Sequence, residues 1–120
     1  MSFKDAIVSA FSNYAVFSGR ARRSEFWYFY LFRILIQAGI ILISELIGGD
    51  RLKLVLDTLI LLVLFVPELA LGWRRMHDIG KSGAYVLFAL LPVVGWILLI
   101  VWLCQDSQPG GNQYGPNPKE

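Results

Sequence analysis

The sequence has very few of the residues that metal centres and disulfide frameworks require. Its 120 residues include one cysteine, Cys104, and one histidine, His77. A single cysteine excludes an intrachain disulfide, and a lone histidine without a second histidine or cysteine nearby cannot form a zinc site. Glycine-rich phosphate-binding loops are also absent. We therefore predict no metal and no cofactor.

Charged residues are also scarce, at 17% of the chain, whereas hydrophobic residues make up 56%. The mean hydropathy is +0.56. A soluble domain of this length buries too small a share of its surface to hide so many apolar side chains. Lipid can solvate them instead. The first apolar stretch begins near Phe26, after a polar segment, so we expect a retained span and no cleavable signal peptide.

Three apolar stretches are each long enough to cross a bilayer as a helix. Their residues do not alternate between apolar and polar, and they are far longer than typical strands. A backbone in lipid must also form its hydrogen bonds within the segment, which favours helices. The predicted fold is therefore all-α: a polytopic membrane protein with an N-terminal interfacial helix and an irregular C-terminal tail. Its predicted segments are the interfacial helix 3–16, the spans 26–47, 52–73 and 84–104, and the tail 105–120.

Basic residues predict the orientation, because cytoplasmic loops are enriched in lysine and arginine. With three spans, seven cations fall on one side of the membrane and three on the other: Lys4, Arg20, Arg22, Arg23, Arg74, Arg75 and Lys81 against Arg51, Lys53 and Lys119. The N-terminus is thus predicted in the cytoplasm and the tail outside. If 84–104 instead re-enters at Pro92, the tail is cytoplasmic as well.

The N-terminal segment has the pattern of an amphipathic helix. Apolar side chains recur at helical spacing from Phe3 to Tyr14, and Ser2 with Asp5 resembles a capping box. We expect this helix to lie in the membrane interface. Docking on a partner protein is the alternative.

Ionisable residues also occur inside the predicted spans, where they are costly. In an antiparallel hairpin Arg33 lies within one turn of Glu68, and Asp57 shares a helix face with Glu68. Gln37 and Ser44 share the face of Arg33 on the first span. We interpret Arg33, Gln37, Asp57 and Glu68 as a polar seam that fixes the packing of the hairpin. A cation or proton path through these residues is the alternative. Pro67 and Pro92 should each leave one carbonyl without its helical donor, at Val63 and Phe88.

Two polar segments, 17–27 and 74–83, have specific sequences and are predicted to meet at one membrane face. Between them they contribute six cations that can bind phosphate oxygens or attract anionic lipid. The candidate binding residues are Arg20, Arg22, Arg23, Arg74, Arg75, His77, Asp78 and Lys81. His77 and Asp78 are interpreted as hydrogen-bonding residues that order the arginines. The arginines are too few and too close to lipid to indicate nucleic-acid binding.

These motifs resemble the domain-of-unknown-function family DUF805, which consists of small bacterial inner-membrane proteins. The resemblance covers nearly the whole chain. Matching positions are Phe17, Gly19, Arg20, Arg23, Glu25, Phe26 and Trp27, then Arg74, Arg75, His77, Asp78, Ser82 and Gly83, then Asn112, Tyr114, Gly115 and Pro118. Ala84 departs from the family, which usually has tryptophan there. The resemblance implies an inner-membrane location but no particular activity.

Three functions are therefore compared. The first is a non-enzymatic module that binds anionic membrane lipids or a partner membrane protein through the cations. The second is an oligomeric ion or small-solute channel or transporter that uses Arg33, Asp57 and Glu68; it would require self-association, although no span contains a GxxxG pair. The third, an enzyme that uses His77 and Asp78, is ranked last because nothing in the sequence builds an oxyanion site.

Overall fold

The computed structural model describes residues 1–119, in which every regular element is helical. Four α-helices and one 3-10 helix follow one another along the chain. They are α1 (Phe3–Ser12), α2 (Arg23–Ile47), α3 (Asp50–Asp78), the 3-10 helix (Gly83–Leu90) and α4 (Val94–Leu103). The all-helical prediction is therefore confirmed, whereas several of its boundaries change.

Helices α2 and α3 form an antiparallel hairpin and are long and apolar enough to cross a membrane. They contain 25 and 29 residues, which corresponds to about 37 and 43 Å at 1.5 Å per residue. Gly48 and Gly49 turn the chain between them with φ angles of 85° and 136°, which disfavour other residues. Helix α3 runs five residues beyond the predicted boundary, through the segment that we expected to be a loop, and ends before Gly80.

The predicted third span, 84–104, is not a continuous helix, and this prediction is wrong. The 3-10 helix leads to a bend at Leu91–Val93, and α4 runs back from it. The rings of Tyr85 and Phe88 contact Trp102 at centroid distances of 5.4 and 5.3 Å, so the two arms lie side by side. Each arm is about 15 Å long, half of what a span requires. The segment forms a helical hairpin, as expected for the re-entrant alternative at Pro92. We call it the re-entrant hairpin, while its position in a membrane stays a prediction.

The bend of this hairpin depends on a glycine and on a proline. Pro92 has no N–H to continue a helix, and Val93 adopts a φ of 64°, which is unfavourable for a β-branched residue. At Gly95 a Cβ atom would lie 1.8 Å from the carbonyl oxygen of Phe88. The arms can therefore approach each other only because residue 95 has no side chain.

Helix α1 packs on its own chain. It ends at Ser12, four residues before the predicted end, and the Ser2 hydroxyl caps its N-terminus by accepting from the Asp5 N–H at 3.1 Å. Phe11 contacts the ring of Phe29 on α2 at 5.8 Å, and Ala10 is fully buried. The helix is thus seated against α2, while its placement in the membrane interface stays a prediction.

The buried core lies where α1, α2 and α3 meet, and it includes Ala10, Phe29, Leu64 and Leu71. The carbonyl group that Pro67 leaves without a helical donor finds one in the same region. Pro67 cannot donate to the carbonyl of Val63, and the hydroxyl of Tyr14 donates to that oxygen instead. A residue beyond α1 therefore satisfies the acceptor that the sequence predicted would be left open.

Candidate functional site

The polar motifs meet at the end of the molecule opposite the α2–α3 turn. The segment before α2, the last turn of α3 and the C-terminal tail lie against one another there. We use the term arginine network for Arg20, Arg74 and Arg75 with their carboxylate partners Glu25 and Asp78. All five side chains are buried, which the sequence did not predict for the three arginines.

Arg20 connects the tail to the end of α3. Its side chain is 1% exposed, and its Nε donates to Asp78 Oδ1 at 3.0 Å. Its other nitrogens donate to backbone carbonyls of the tail, at 2.7 Å to Gly110 and 2.6 Å to Gln108. Arg20 also donates to the backbone oxygens of Asp78 and Gly115. Because its acceptors all belong to the protein, Arg20 acts as an internal crosslink.

Arg75 makes a second crosslink, from α3 to the end of α4. It donates to Asp78 Oδ2 at 3.0 Å and to the carbonyl oxygens of Leu103 and Gln105. Neither Arg75 nor Asp78 exposes any side-chain surface. The pair is therefore shielded from solvent on both sides.

Asp78 is the shared acceptor of the network. Its two carboxylate oxygens accept from Arg20, Arg75 and the hydroxyl of Ser107, the last at 2.6 Å. Its side chain has no exposed surface. One buried carboxylate thus compensates two buried guanidinium groups, with main-chain carbonyls as the remaining acceptors.

Arg74 is held more loosely. It lies 3.5 Å from Glu25 Oε1, and that oxygen also accepts from the Ser9 hydroxyl of α1 at 2.9 Å. Among residues 1–119 no acceptor is found for Arg74 Nε or Nη2. The carbonyl of Arg74 accepts from the Ala21 N–H, which ties the segment before α2 to α3.

His77 lies beside the network and is stacked on a tail residue. Its ring is parallel to that of Tyr114, with centroids 3.9 Å apart. Its Nδ1 is 2.9 Å from the carbonyl oxygen of Gly19, which can only accept, so Nδ1 carries the proton. The amide of Asn112 donates to the His77 carbonyl. These contacts join His77 to the segment before α2 and to the tail, while its role in ordering the arginines stays a prediction. Within residues 1–119 no group of three His, Cys, Asp or Glu residues could hold a metal ion.

Three of the predicted cations lie outside the network. Arg22 and Lys81 are half-buried and Arg23 is exposed. Arg23 Nη1 donates to the Cys104 carbonyl at 3.0 Å, and Lys81 Nζ lies 5.2 Å from the centre of the Trp102 ring. Both cations therefore flank the end of α4.

A small pocket of about 280 Å³ adjoins Arg23 and is otherwise lined by Ser24, Trp27 and Tyr28. The hydroxyl of Ser24 is buried and has no partner among the described residues. No side chain caps the N-terminus of α2, whose first turn lies at this pocket. A cation and two aromatic rings thus line one space at the first turn of α2, with the buried Ser24 hydroxyl beside it. We call it the Arg23 pocket.

The polar seam lies deeper, within the α2–α3 hairpin. Arg33 is bonded to Glu68, the pair expected from the sequence. Gln37 donates to Asp57 at 3.0 Å, and Lys53 approaches the other oxygen of Asp57 at 2.8 Å. Ser44 is buried without a hydrogen-bond partner among the described residues.

Sequence reasoning missed the groups that the tail contributes. The acceptors of Arg20 and Arg75 are mostly main-chain carbonyls, and any residue type could provide them. The signal that could have located them is the motif character of the tail, in which Asn112, Tyr114 and Gly115 match the family. The side chain of Ser107, by contrast, donates to Asp78 of the network but lies outside the recognised motifs.

Together, the apolar helical hairpin and the buried polar end define a small helical membrane protein whose motifs serve its own architecture. The chain belongs to the family described as "Protein of unknown function (DUF805)", whose model matches residues 14–116. The family that the motifs predicted is therefore confirmed, and α1 lies before the matched region.

Curated relatives place the chain in the bacterial inner membrane. It is 45% identical over 112 residues to inner membrane protein YhaI of Escherichia coli K12, covering 93% of both chains. It is 37% identical over 117 residues to inner membrane protein YhaH of the same strain, covering 96% of this chain and 97% of the relative. A shorter similarity, 35% over 83 residues, relates it to uncharacterized protein YiiR, covering 69% of this chain and 53% of the relative. No solved structure matches the chain.

Proposed function

We propose that this protein is a non-enzymatic inner-membrane module that binds anionic lipid headgroups at its cytoplasmic face. The Arg23 pocket, with Arg22 and Lys81 nearby, is the proposed contact surface. The arginine network is its internal support. Of the cations singled out in the sequence, this assigns those outside the network to lipid and the buried arginines to folding. The observation that carries the proposal is the open pocket beside the exposed guanidinium of Arg23.

The chemistry of the Arg23 pocket suits a lipid phosphate. A guanidinium binds phosphate oxygens through paired N–H donors, and free N–H groups at a helix N-terminus attract anions. The unpartnered Ser24 hydroxyl supplies another donor. Trp27 and Tyr28 are residue types that favour the headgroup region of a bilayer. Phosphate and glycerol could thus contact the same four residues.

The re-entrant hairpin supports a cytoplasmic location for this surface. If α2 and α3 cross the bilayer and the hairpin turns back, the tail lies on the same side as the N-terminus. Eight cations then fall on that side, with only Arg51 and Lys53 opposite. This distribution is more uneven than the one for three spans and agrees better with the positive-inside rule.

A conducting path through the seam has less support. Arg33, Glu68 and Asp57 each bond another side chain of the α2–α3 hairpin. Paired groups of this kind are expected where polar residues fix helix packing. We therefore treat the seam as structural within this proposal.

The test is lipid binding by the purified full-length protein, measured by native mass spectrometry with phosphatidylglycerol and phosphatidylcholine. We expect the anionic lipid to bind preferentially and Arg23→Gln/Lys81→Gln to weaken that preference. A contribution of about 1 kcal/mol per cation near the surface corresponds to about fivefold per residue. Arg51→Gln, at the opposite end of the hairpin, is the matched control and should behave as wild type. An unchanged preference in the double variant would reject the lipid proposal, and co-purification of a membrane protein lost in that variant would indicate a partner instead.

A further inference from the structure

A second cavity lies between α2, α3 and the re-entrant hairpin. Its volume is about 590 Å³, within the range of about 300–1,000 Å³ that is usual for small-molecule sites. Its walls are mostly apolar, and Arg33 and Glu68 are the only charged side chains that residues 1–119 contribute to it. The cavity thus combines a hydrophobic space with one ion pair.

The cavity opens sideways, toward the region that lipid would occupy. Residues around it include Tyr30, Leu61, Phe65 and Leu90, each of which exposes half or more of its surface. Arg33 follows Trp27 by six residues on α2, about 9 Å along the helix axis. With Trp27 at the interface, the ion pair lies inside the hydrocarbon layer. A ligand would therefore enter from the membrane.

The ion pair determines which polar group such a ligand should have. Arg33 donates to Glu68 through Nη1, while no acceptor for its Nε or Nη2 is found among the described residues. Donors left unpaired in an apolar setting are costly, so an oxygen acceptor there is favoured. Glu68 already neutralises Arg33, and a second negative charge at this depth would have no counter-ion. An uncharged acceptor is therefore the best match.

We propose that this cavity binds one neutral lipid with a long apolar chain and a carbonyl group, the carbonyl oxygen accepting from Arg33. Ester carbonyls of a diacylglycerol and ring carbonyls of a long-chain quinone share this chemistry. Ordinary lipid contact, which needs only apolar surface, would not depend on the carbonyl.

Native mass spectrometry of the purified protein distinguishes these ligands. The probes are a diacylglycerol, a long-chain quinone and squalene, a hydrocarbon of similar length without any acceptor. We expect one carbonyl lipid per chain, bound about tenfold more tightly than squalene, as one hydrogen bond to a charged group implies. Whichever of the diacylglycerol and the quinone binds more tightly identifies the class of lipid that the cavity takes. Equal binding of squalene would overturn the proposal.

Two neighbouring substitutions locate the site. Leu61→Trp fills the cavity and should abolish carbonyl-lipid binding, whereas Leu62→Trp places the same ring on an exposed position that does not line it. If both variants bind as wild type, or if a second copy of the chain occupies the cavity, the proposal is wrong.

A further variant keeps the test valid if Leu61→Trp fails to fold. Arg33→Leu/Glu68→Leu removes the donors and the charge together and should reduce the carbonyl preference to none while squalene still binds. Retained preference would contradict the role of Arg33. Arg23→Gln should leave carbonyl-lipid binding unchanged, which separates this site from the Arg23 pocket.

Discussion

The arginine network and the Arg33–Glu68 pair use the same chemistry in different surroundings. In the network Arg20 and Arg75 are at most 1% exposed, and each donates to several acceptors, most of them main-chain carbonyls. In the seam Arg33 and Glu68 are 29% and 33% exposed and share one bond. The network connects three chain segments that are distant in sequence, whereas the seam connects two adjacent helices. We infer that the first determines the tertiary fold and the second only adjusts helix packing.

Asp78→Asn should produce the largest effect, because it leaves two buried guanidinium groups without their carboxylate. Breaking a buried ion pair by removing one partner costs about 3–5 kcal/mol. We expect a large drop in the thermal unfolding midpoint in detergent, together with rapid proteolysis of the tail. Asp50→Asn at the exposed hairpin turn is the control. A midpoint close to wild type would remove the distinction between network and seam.

Glu68→Gln tests the seam and should cost less. Polar contacts between membrane helices contribute about 0.6 kcal/mol on average, with a maximum near 1.7. We expect a loss of about 1 kcal/mol in a denaturation series in mixed micelles, with the tail still protected from protease. Glu45→Gln, an exposed carboxylate on α2, is the matched control. A loss as large as that of Asp78→Asn would mean that both regions determine the fold.

Tyr14→Phe measures a neutral bond in the same helical region. It removes the hydroxyl that donates to the Val63 carbonyl next to Pro67. A neutral hydrogen bond contributes about 0.5–1.5 kcal/mol, so the loss should be similar to that of Glu68→Gln. Equilibrium unfolding monitored by circular dichroism supplies the value. Tyr28→Phe, on the exposed surface, controls for the loss of a hydroxyl. A loss well above that of Glu68→Gln would contradict this ordering.

The smallest effect concerns the outer part of the tail. The Lys119 ammonium and the Ser107 N–H, which bond the Asp106 carboxylate, lower the pKa of Asp106. The ionised Asp106 carboxylate therefore stabilises the tail above the pKa that Asp106 has in the unfolded chain. This stabilisation is lost as the pH falls through the lower pKa that Asp106 has in the folded chain. We expect acidification below about pH 4 to increase proteolysis of the tail slightly. Asp106→Asn should remove this pH dependence of proteolysis. If the dependence persists in the variant, a group other than Asp106 causes it.

The sequence predicted the helical hairpin well because its signals are local. Apolar length defined α2 and α3, and antiparallel geometry brought Arg33 to Glu68. Pro67 likewise indicated an open carbonyl at Val63. These inferences need only the helical period and the thickness of a bilayer.

The third apolar segment was misjudged because hydropathy records which solvent surrounds a residue and not the direction of the backbone. Residues 84–104 have the same hydropathy whether they form one span or two half-length arms. The reversal depends on the fit of Gly95 against Phe88, a contact that becomes evident only in three dimensions. The buried arginines were misjudged for a related reason, since their main-chain acceptors leave no trace in residue identity.

The re-entrant hairpin makes the molecule unequal in cross-section. Toward the cytoplasm a bilayer would accommodate α2, α3 and both arms, whereas the opposite leaflet would meet only α2 and α3. Each copy inserted in the proposed orientation then displaces more lipid from one leaflet than from the other. A membrane rich in this protein would experience a bending stress whose sign follows from the number of helices in each leaflet.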